Sequence, residues 1–306
     1  MSILIGKNKK VLVQGITGRE GRARTKLMID IGTAVVAGVT PGQGGIEVLG
    51  VPVYDTVAEA VKIHGPIDIT VVFVPAPLVK NAVIEAFASG IKLAVIVPDR
   101  VPVYDVMAIS RAAEKYGARF TGPNTLGILS PGVGILGMIG GNADSVKKWF
   151  KSGPVGISSR SGGLTTSTAY YLNKAGIGQS TIVHVGGDSL VGLPHPEVVK
   201  LFQEDVDTKL IVILGEIGGS QEEDVAELLS SGRVTKPVVA YVGGRGAKEG
   251  TQFSHAGAII EGNRGTYQGK VDSLRDAGAV VVDDISDISG EVKKILDKLE
   301  IPYVRK

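Results

Sequence analysis

Short runs rich in β-branched residues alternate with longer amphipathic segments along nearly the whole chain, and this alternation leaves few architectures open. A strand covered on both faces reads as an unbroken apolar run, so stretches such as Ile69 to Val74 and Leu93 to Val97 imply a parallel sheet flanked by helices on both sides. Strands are predicted at Lys10 to Val13, Ala34 to Val39, Ile69 to Val74, Leu93 to Val97 and Arg119 to Phe120. Helices are predicted between them at about Gly21 to Ile31, Thr56 to His64, Leu78 to Ala88 and Val103 to Tyr116, with Asp55 placed to cap the second. Gly122 to Gly153 is rich in Gly and Pro and carries no long helical period, so the domain boundary is placed there. The alternation then restarts, with strands from Val155, Ser180, Leu210, Val238 and Ala279 and helices from Gly163, Glu197, Glu222, Tyr267 and Ile285. The expectation is α/β: two doubly wound parallel-sheet domains, 1–130 and 131–306. The length of 306 residues agrees with that, at roughly 150 residues per domain.

Composition excludes several classes. With 43% hydrophobic and 21% charged residues the chain can build sizeable cores, and no apolar run approaches the ~20 residues that span a bilayer. The N-terminal residues do not read as a signal peptide, so the expected location is cytoplasmic. The absence of cysteine rules out disulfides, zinc-thiolate sites and thiol nucleophiles. A net charge of +2 without blocks of like sign gives little support to a nucleic-acid surface. The 43 glycines, about twice the usual ~7%, point to tight turns with accessible backbone amides.

Two of those turns carry chemistry. Gly15-Ile16-Thr17-Gly18-Arg19-Glu20-Gly21 follows the first strand and opens the first helix, where free N–H groups and the positive end of the helix dipole favour phosphate. A tight turn and nothing more is the other reading. The second strand ends in Val39-Thr40-Pro41-Gly42-Gln43 without the carboxylate that would take the ribose hydroxyls of NAD. Hydride transfer is therefore the weaker reading, and another phosphate-bearing coenzyme such as CoA the stronger. Ser159-Arg160-Ser161-Gly162-Gly163 repeats the logic in the second half, and no G-x-x-x-x-G-K-[ST] motif exists.

Of the four histidines, His64 suits a helix C-terminus, and His184 sits in a β-branched run as a satisfied core residue. His195 stands in a Pro-His-Pro loop, where surface and substrate-contacting roles are not separable. His255 differs. Its small neighbours in Ser254-His255-Ala256-Gly257-Ala258 leave an imidazole uncovered. An imidazole with one nitrogen fixed by a carboxylate is a good nucleophile, and Glu216, at the carboxyl end of a strand, is placed to fix it; an exposed turn residue is the other reading of Glu216.

The sequence resembles the alpha subunit of succinyl-CoA synthetase (succinate–CoA ligase) over nearly its whole length. The resemblance is carried by Ser2-Ile3-Leu4-Ile5 with Gln14-Gly15-Ile16-Thr17-Gly18, Gly38 to Gly45, Val74-Pro75-Ala76-Pro77, Gly122-Pro123-Asn124, Ser159-Arg160-Ser161-Gly162, Gly186-Gly187-Asp188, Gly215-Glu216-Ile217-Gly218-Gly219 and His255-Ala256-Gly257-Ala258. It implies a Rossmann-like CoA-binding N-terminal domain, a flavodoxin-like ligase domain, and a beta subunit whose ATP-grasp domain binds ATP or GTP with Mg. It also implies that His255 takes the phosphoryl group, Glu216 orients it, and Ser161 and Gly162 hold the phosphate. By the same resemblance Thr17, Gly18, Arg19, Glu20, Gln43, Val97, Pro98 and Asp99 fall on CoA contacts, and Asn124 and Thr166 face the acid. No metal ligand is implied in this chain.

The chain departs from the family pattern in several places. Gln43 replaces the usual Lys, Thr125-Leu126 the usual Cys-Pro, and Pro98-Asp99 the usual Thr-Glu. Thr166 and Ser167 stand where Tyr and Glu are typical, so an acid other than succinate is the alternative. The Ser-Arg-Ser-Gly-Gly form and the Gly137 to Gly141 stretch look somewhat like ATP-citrate lyase and citryl-CoA synthetase, which makes citrate or another hydroxy acid a candidate. A non-catalytic CoA-binding paralogue is the reading from a different class. Under the enzyme reading, Glu216→Gln is expected to slow phosphorylation with the fold intact.

Overall fold

The computed structural model describes residues 2–247, 255, 257–258 and 265–304. The first sheet comprises β1 (Val11–Gln14), β2 (Val35–Val39), β3 (Glu47–Val48), β4 (Val51–Tyr54), β5 (Ile69–Val72), β6 (Leu93–Ile96) and β7 (Arg119–Thr121), in the order β3-β4-β2-β1-β5-β6-β7. Every pairing but β3 with β4 is parallel. All residues of β1, β5 and β6 are buried, because helices α1 (Arg19–Asp30), α2 (Val57–His64), α3 (Val79–Ala88) and α4 (Val103–Tyr116) accompany the sheet. That burial on both faces is why the strands are apolar without alternation. Thr56, not Asp55, caps α2, its hydroxyl accepting the Glu59 N–H at 3.2 Å. Asp55 instead accepts the Gly44 N–H at 2.9 Å and so pins the loop after β2.

The second sheet holds β8 (Gly127–Ser130), β9 (Gly134–Gly137), β10 (Ser152–Ser159), β11 (Gln179–His184), β12 (Leu210–Glu216), β13 (Val238–Gly243) and β14 (Val280–Val282), in the order β14-β13-β12-β10-β11-β8-β9. Strands β10 to β14 are mutually parallel, while β8 and β9 add an antiparallel edge. The accompanying helices are α5 (Ala143–Trp149), α6 (Gly162–Lys174), α7 (His195–Glu204), α8 (Gln221–Ser230), α9 (Tyr267–Asp276) and α10 (Ile288–Lys298). The Gly122 to Gly153 stretch, in which the sequence shows no long helical period, supplies two strands and a short helix. The chain leaves the first sheet at Thr121 and enters the second at Gly127.

The edge strand β9 is covered by the first sheet's own helix layer, which removes an exposed strand edge. Just past α1, the Thr33 hydroxyl donates to the Ile135 carbonyl (2.7 Å) and accepts from the Ile135 N–H (2.9 Å), satisfying both groups of that edge residue. Arg24 reaches the Gly141 carbonyl at 3.2 Å. One apolar cluster runs from Val13, Ile16 and Met28 through Ile135 and Leu136 to Val155 and Ile213, so the two sheets share a continuous core.

Candidate functional site

In each sheet the direction of winding reverses beside one central strand, and ligands of such sheets bind beyond the carboxyl ends at that point. In the first sheet it lies beside β1, with β2 on one side and β5 on the other. The 15–21 turn leaves β1 there. Gly15 has φ +81°, and a Cβ on Gly21 would stand 2.1 Å from the Gly15 carbonyl oxygen, so the turn and the start of α1 touch through backbone alone. Gly18 begins α1 without a side-chain cap, and Gly18, Arg19 and Glu20 are exposed, leaving the helix N-terminus open to an anion. The Thr17 hydroxyl bonds that of Thr40 at 3.1 Å, tying this turn to the loop that carries the exposed Gln43. Val97 and Pro98 are half-buried and Asp99 exposed at the end of β6, where Asp99 pairs with Arg100 at 3.3 Å. These residues make an uncapped, glycine-lined cradle that fits a phosphate-bearing coenzyme.

In the second sheet the reversal lies at β10, flanked by β11 and β12. Ser159 pairs with Leu214, so the turn after β10 and the tip of β12 emerge side by side, bringing Arg160 to Glu216. Arg160 is buried, with Nε 3.0 Å from Glu216 Oε1. Its N–H is not aimed at that oxygen, so the contact is a charge pair, while Nη2 donates to the Asp188 carbonyl at 3.1 Å. Glu216 Oε2 lies 2.7 Å from His255 Nδ1. The imidazole, 22% exposed, lies against Gly187, where a Cβ would come within 2.6 Å of its Cδ2. A carboxylate on Nδ1 makes that nitrogen the proton carrier and puts the lone pair on Nε2, the arrangement a histidine nucleophile requires. The neighbours Ser254 and Ala256 lie outside the described residues.

His255 opens onto a cleft of about 500 Å³ that Asp99, Arg100, Asn124 and Asp188 also line. Asn124 stitches its two walls together: its N–H donates to the Pro98 carbonyl (2.8 Å) and its carbonyl accepts from the Gly187 N–H (3.2 Å). Burial pushes the Asp188 carboxyl up, with the Asn124 side-chain hydrogen bond working the other way. Ser161 caps α6, its hydroxyl accepting from the Leu164 N–H at 3.4 Å, and Gly162 is the first residue of that helix. The Thr166 hydroxyl turns back onto the Gly162 carbonyl at 3.4 Å, and Ser167 is exposed. The structure therefore groups Asn124, Asp99 and His255 around one cleft, with Glu216 behind the imidazole, and the link from the Ser161 turn to His255 runs through Arg160 and Glu216.

Two residues of this geometry lacked a sequence signal. Arg160 is quoted within its motif, but nothing local says that it is buried against Glu216. His195, read as a loop residue, is the first residue of α7 and wholly buried, with Nδ1 2.7 Å from the Ser158 hydroxyl. His184 is the satisfied core residue expected: the Leu126 N–H donates to Nδ1 (2.9 Å) and Nε2 donates to the Arg160 carbonyl (3.0 Å). Leucine at 126 supplies a donor that the family's usual proline would lack.

Burial lowers both His184 and His195 to about 4, so the folded protein keeps two neutral imidazoles that the unfolded chain protonates near 6.5. Their stabilisation is complete above 6.5 and is lost as pH falls toward 4. Urea denaturation should show stability declining across that window by up to about 2.7 kcal/mol per pH unit from these two groups.

Residues 6–99 match the family described as CoA binding domain, and residues 158–280 match the CoA-ligase family. These two matches, each falling on one of the two doubly wound sheets, define a CoA ligase. The chain is 45% identical over 297 residues to the ADP-forming succinate–CoA ligase subunit alpha 1 of Archaeoglobus fulgidus, covering 97% of this chain and 99% of that one. It is 44% identical over 296 residues to an ADP-forming sulfoacetate–CoA ligase subunit of Bilophila wadsworthia, covering 97% and 100%. The ATP citrate lyase of Methanothrix soehngenii, solved with citrate and coenzyme A, superposes with a TM-score of 0.91 at 25% identity over 99% of this chain; the chain spans 52% of that lyase. The chain belongs to the succinate–CoA ligase alpha-subunit family, the alpha subunits of ADP-forming CoA ligases. Among the described residues no helix is long and apolar enough to cross a membrane, and no group of three or more His, Cys, Asp or Glu could hold a metal ion.

Proposed function

We propose that the chain is the alpha subunit of an acid–thiol ligase that makes an acyl-CoA from a small carboxylic acid, CoA and a nucleoside triphosphate by way of a phosphohistidine at His255. The observation that carries this reading is the 2.7 Å contact of Glu216 with His255 Nδ1 at the mouth of a cleft shared with the Pro98–Asp99 turn. His255 Nε2 attacks the γ-phosphorus, forming an N–P bond as the nucleoside diphosphate leaves, and Glu216 stabilises the positive charge that builds on the ring. A carboxylate oxygen of the acid then takes the phosphoryl group and returns the electron pair to Nε2. CoA supplies the thiol that displaces phosphate from the resulting acyl phosphate.

In this reading Thr17, Gly18, Arg19, Glu20, Gln43, Val97, Pro98 and Asp99 bind CoA, Ser161 and Gly162 receive the phosphoryl group at the start of α6, and Asn124 and Thr166 face the acid. A beta subunit with an ATP-grasp domain would hold the nucleotide and its Mg. Succinate is the leading acid. Identity does not choose it, because the succinate and sulfoacetate relatives stand at 45% and 44%.

The test is to assemble the chain with its beta subunit and supply Mg-ATP labelled at the γ-phosphate. The label should appear on His255 without acid or CoA, and leave when the right acid is added from a panel of succinate, sulfoacetate, citrate and other hydroxy acids. Labelling absent from this chain would end the phosphohistidine reading. CoA binding without acid-dependent ADP formation would favour the non-catalytic paralogue.

A further inference from the structure

We propose that Glu222, clamped by Lys270, is a positioning residue for the His255 reaction: its carboxylate holds the backbone of Glu216 and thereby sets the Glu216–His255 contact. This rests on the phosphohistidine reading.

Glu222 and Lys270 are fully buried, on the first turn of α8 and on α9. Glu222 Oε1 accepts the Glu216 N–H at 3.0 Å, and Oε2 accepts from Lys270 Nζ. Lys270 spends its two remaining donors on Glu223 Oε2 (3.0 Å) and the Gly219 carbonyl (3.1 Å). One ammonium group therefore binds the start of α8 and the loop after β12, on which Glu216 sits. The strand is shaped for this carboxylate, since a Cβ on Gly215 would stand 2.3 Å from Glu222 Oε1. His195 closes the far side, its Nε2 3.9 Å from the same oxygen.

Stability alone does not account for this arrangement, because a well-packed apolar pair is commonly as good as a buried ion pair. What an apolar pair cannot supply is an acceptor for the one backbone N–H that fixes the direction in which Glu216 leaves the strand. Small displacements of a reacting group are costly in rate.

The experiment compares two charge-neutral double variants, each in the full chain labelled with 15N at its histidines and assembled with the beta subunit. Glu222→Gln with Lys270→Met keeps an acceptor for the Glu216 N–H; Glu222→Leu with Lys270→Met removes it. The first should keep the wild-type Nδ1–H tautomer of His255, read by 15N NMR at alkaline pH, and a near wild-type rate of phosphorylation. The second should show mixed tautomers and a rate roughly 10- to 100-fold lower. Gly215→Ala, which displaces the carboxylate but keeps both charges, should behave like the second and serves if that one does not fold. Equal tautomers and equal rates in acceptor-keeping and acceptor-lacking variants would overturn the proposal. A wild-type chain that takes no phosphoryl group would instead sink the ligase reading, while the tautomer comparison would still judge Glu222.

Discussion

Replacing His255 by Ala should abolish phosphoryl transfer to this chain while leaving its stability almost unchanged. The imidazole is partly exposed at the edge of a cleft and belongs to no apolar cluster, so its removal opens no core cavity. It is also the nucleophile in the proposed route, and loss of a nucleophile that acts as a unit with its orienting group costs on the order of 10⁴-fold or more in rate. Glu216→Gln separates these effects. The amide can still accept from Nδ1–H but no longer stabilises the charged ring, so phosphorylation should slow by about 10²- to 10⁴-fold. The sequence alone led to the expectation of an intact fold for this variant. The structure changes that expectation, because Glu216 also neutralises the buried Arg160 guanidinium. Stripping one partner from such a pair costs roughly 3–5 kcal/mol. His255→Ala should thus fail in kinetics only, and Glu216→Gln in both kinetics and urea denaturation. Full labelling in His255→Ala would refute the assignment.

A loss of stability as large as that of Glu216→Gln is expected for Lys270→Met. It leaves the Glu222 carboxylate in the interior with the Glu216 N–H as a neutral donor and neutral His195 at 3.9 Å, a situation that costs about 3–5 kcal/mol. The dependence on pH identifies the cause. In the wild type burial, the largest influence, would raise Glu222, but Lys270 beside it, with His195 and Arg160, outweighs burial and holds the carboxyl below its ordinary value. A depressed carboxyl stabilises the fold above the unfolded value and loses that contribution as pH falls. Without Lys270 the strongest opposing charge is gone and burial prevails, so the folded value rises and stability is lost as pH increases through it. The deficit of the variant should therefore be small in acid and grow toward neutral pH, as measured by urea denaturation at each pH. A deficit independent of pH would mean that lost packing of the lysine stem, not charge, is responsible. Adding Glu222→Gln should restore most of the loss.

The two sheets were legible because a strand buried on both faces must be apolar throughout, and β1, β5, β6, β10 and β12 announce themselves by composition alone. Val103–Tyr116 was read with its final boundaries, since its amphipathic period and the following Gly117 are local signals. The strands β8 and β9 were not legible. They are short and interrupted by glycines, and they exist as strands only because β11 and the Thr33 hydroxyl offer partners distant in sequence. His195 misled for a related reason: flanking prolines look like a loop, but Pro196 fits the first turn of a helix, and burial of the ring is decided by Ser158 and α8.

By itself the sequence determined the α/β class and the glycine turns beyond β1 and β10, and singled out one histidine and one glutamate as candidates, because each depends on residues near one another in the chain or on a motif with its own chemistry. Tertiary structure alone decided that Arg160 lies under Glu216, that Lys270 reaches Glu222 from a helix 48 positions away, and that the Asn124 and Asp188 turns form one cleft with His255. A charged side chain carries the same letter whether it is solvated or buried, and only the packing of distant elements removes the water that makes the difference.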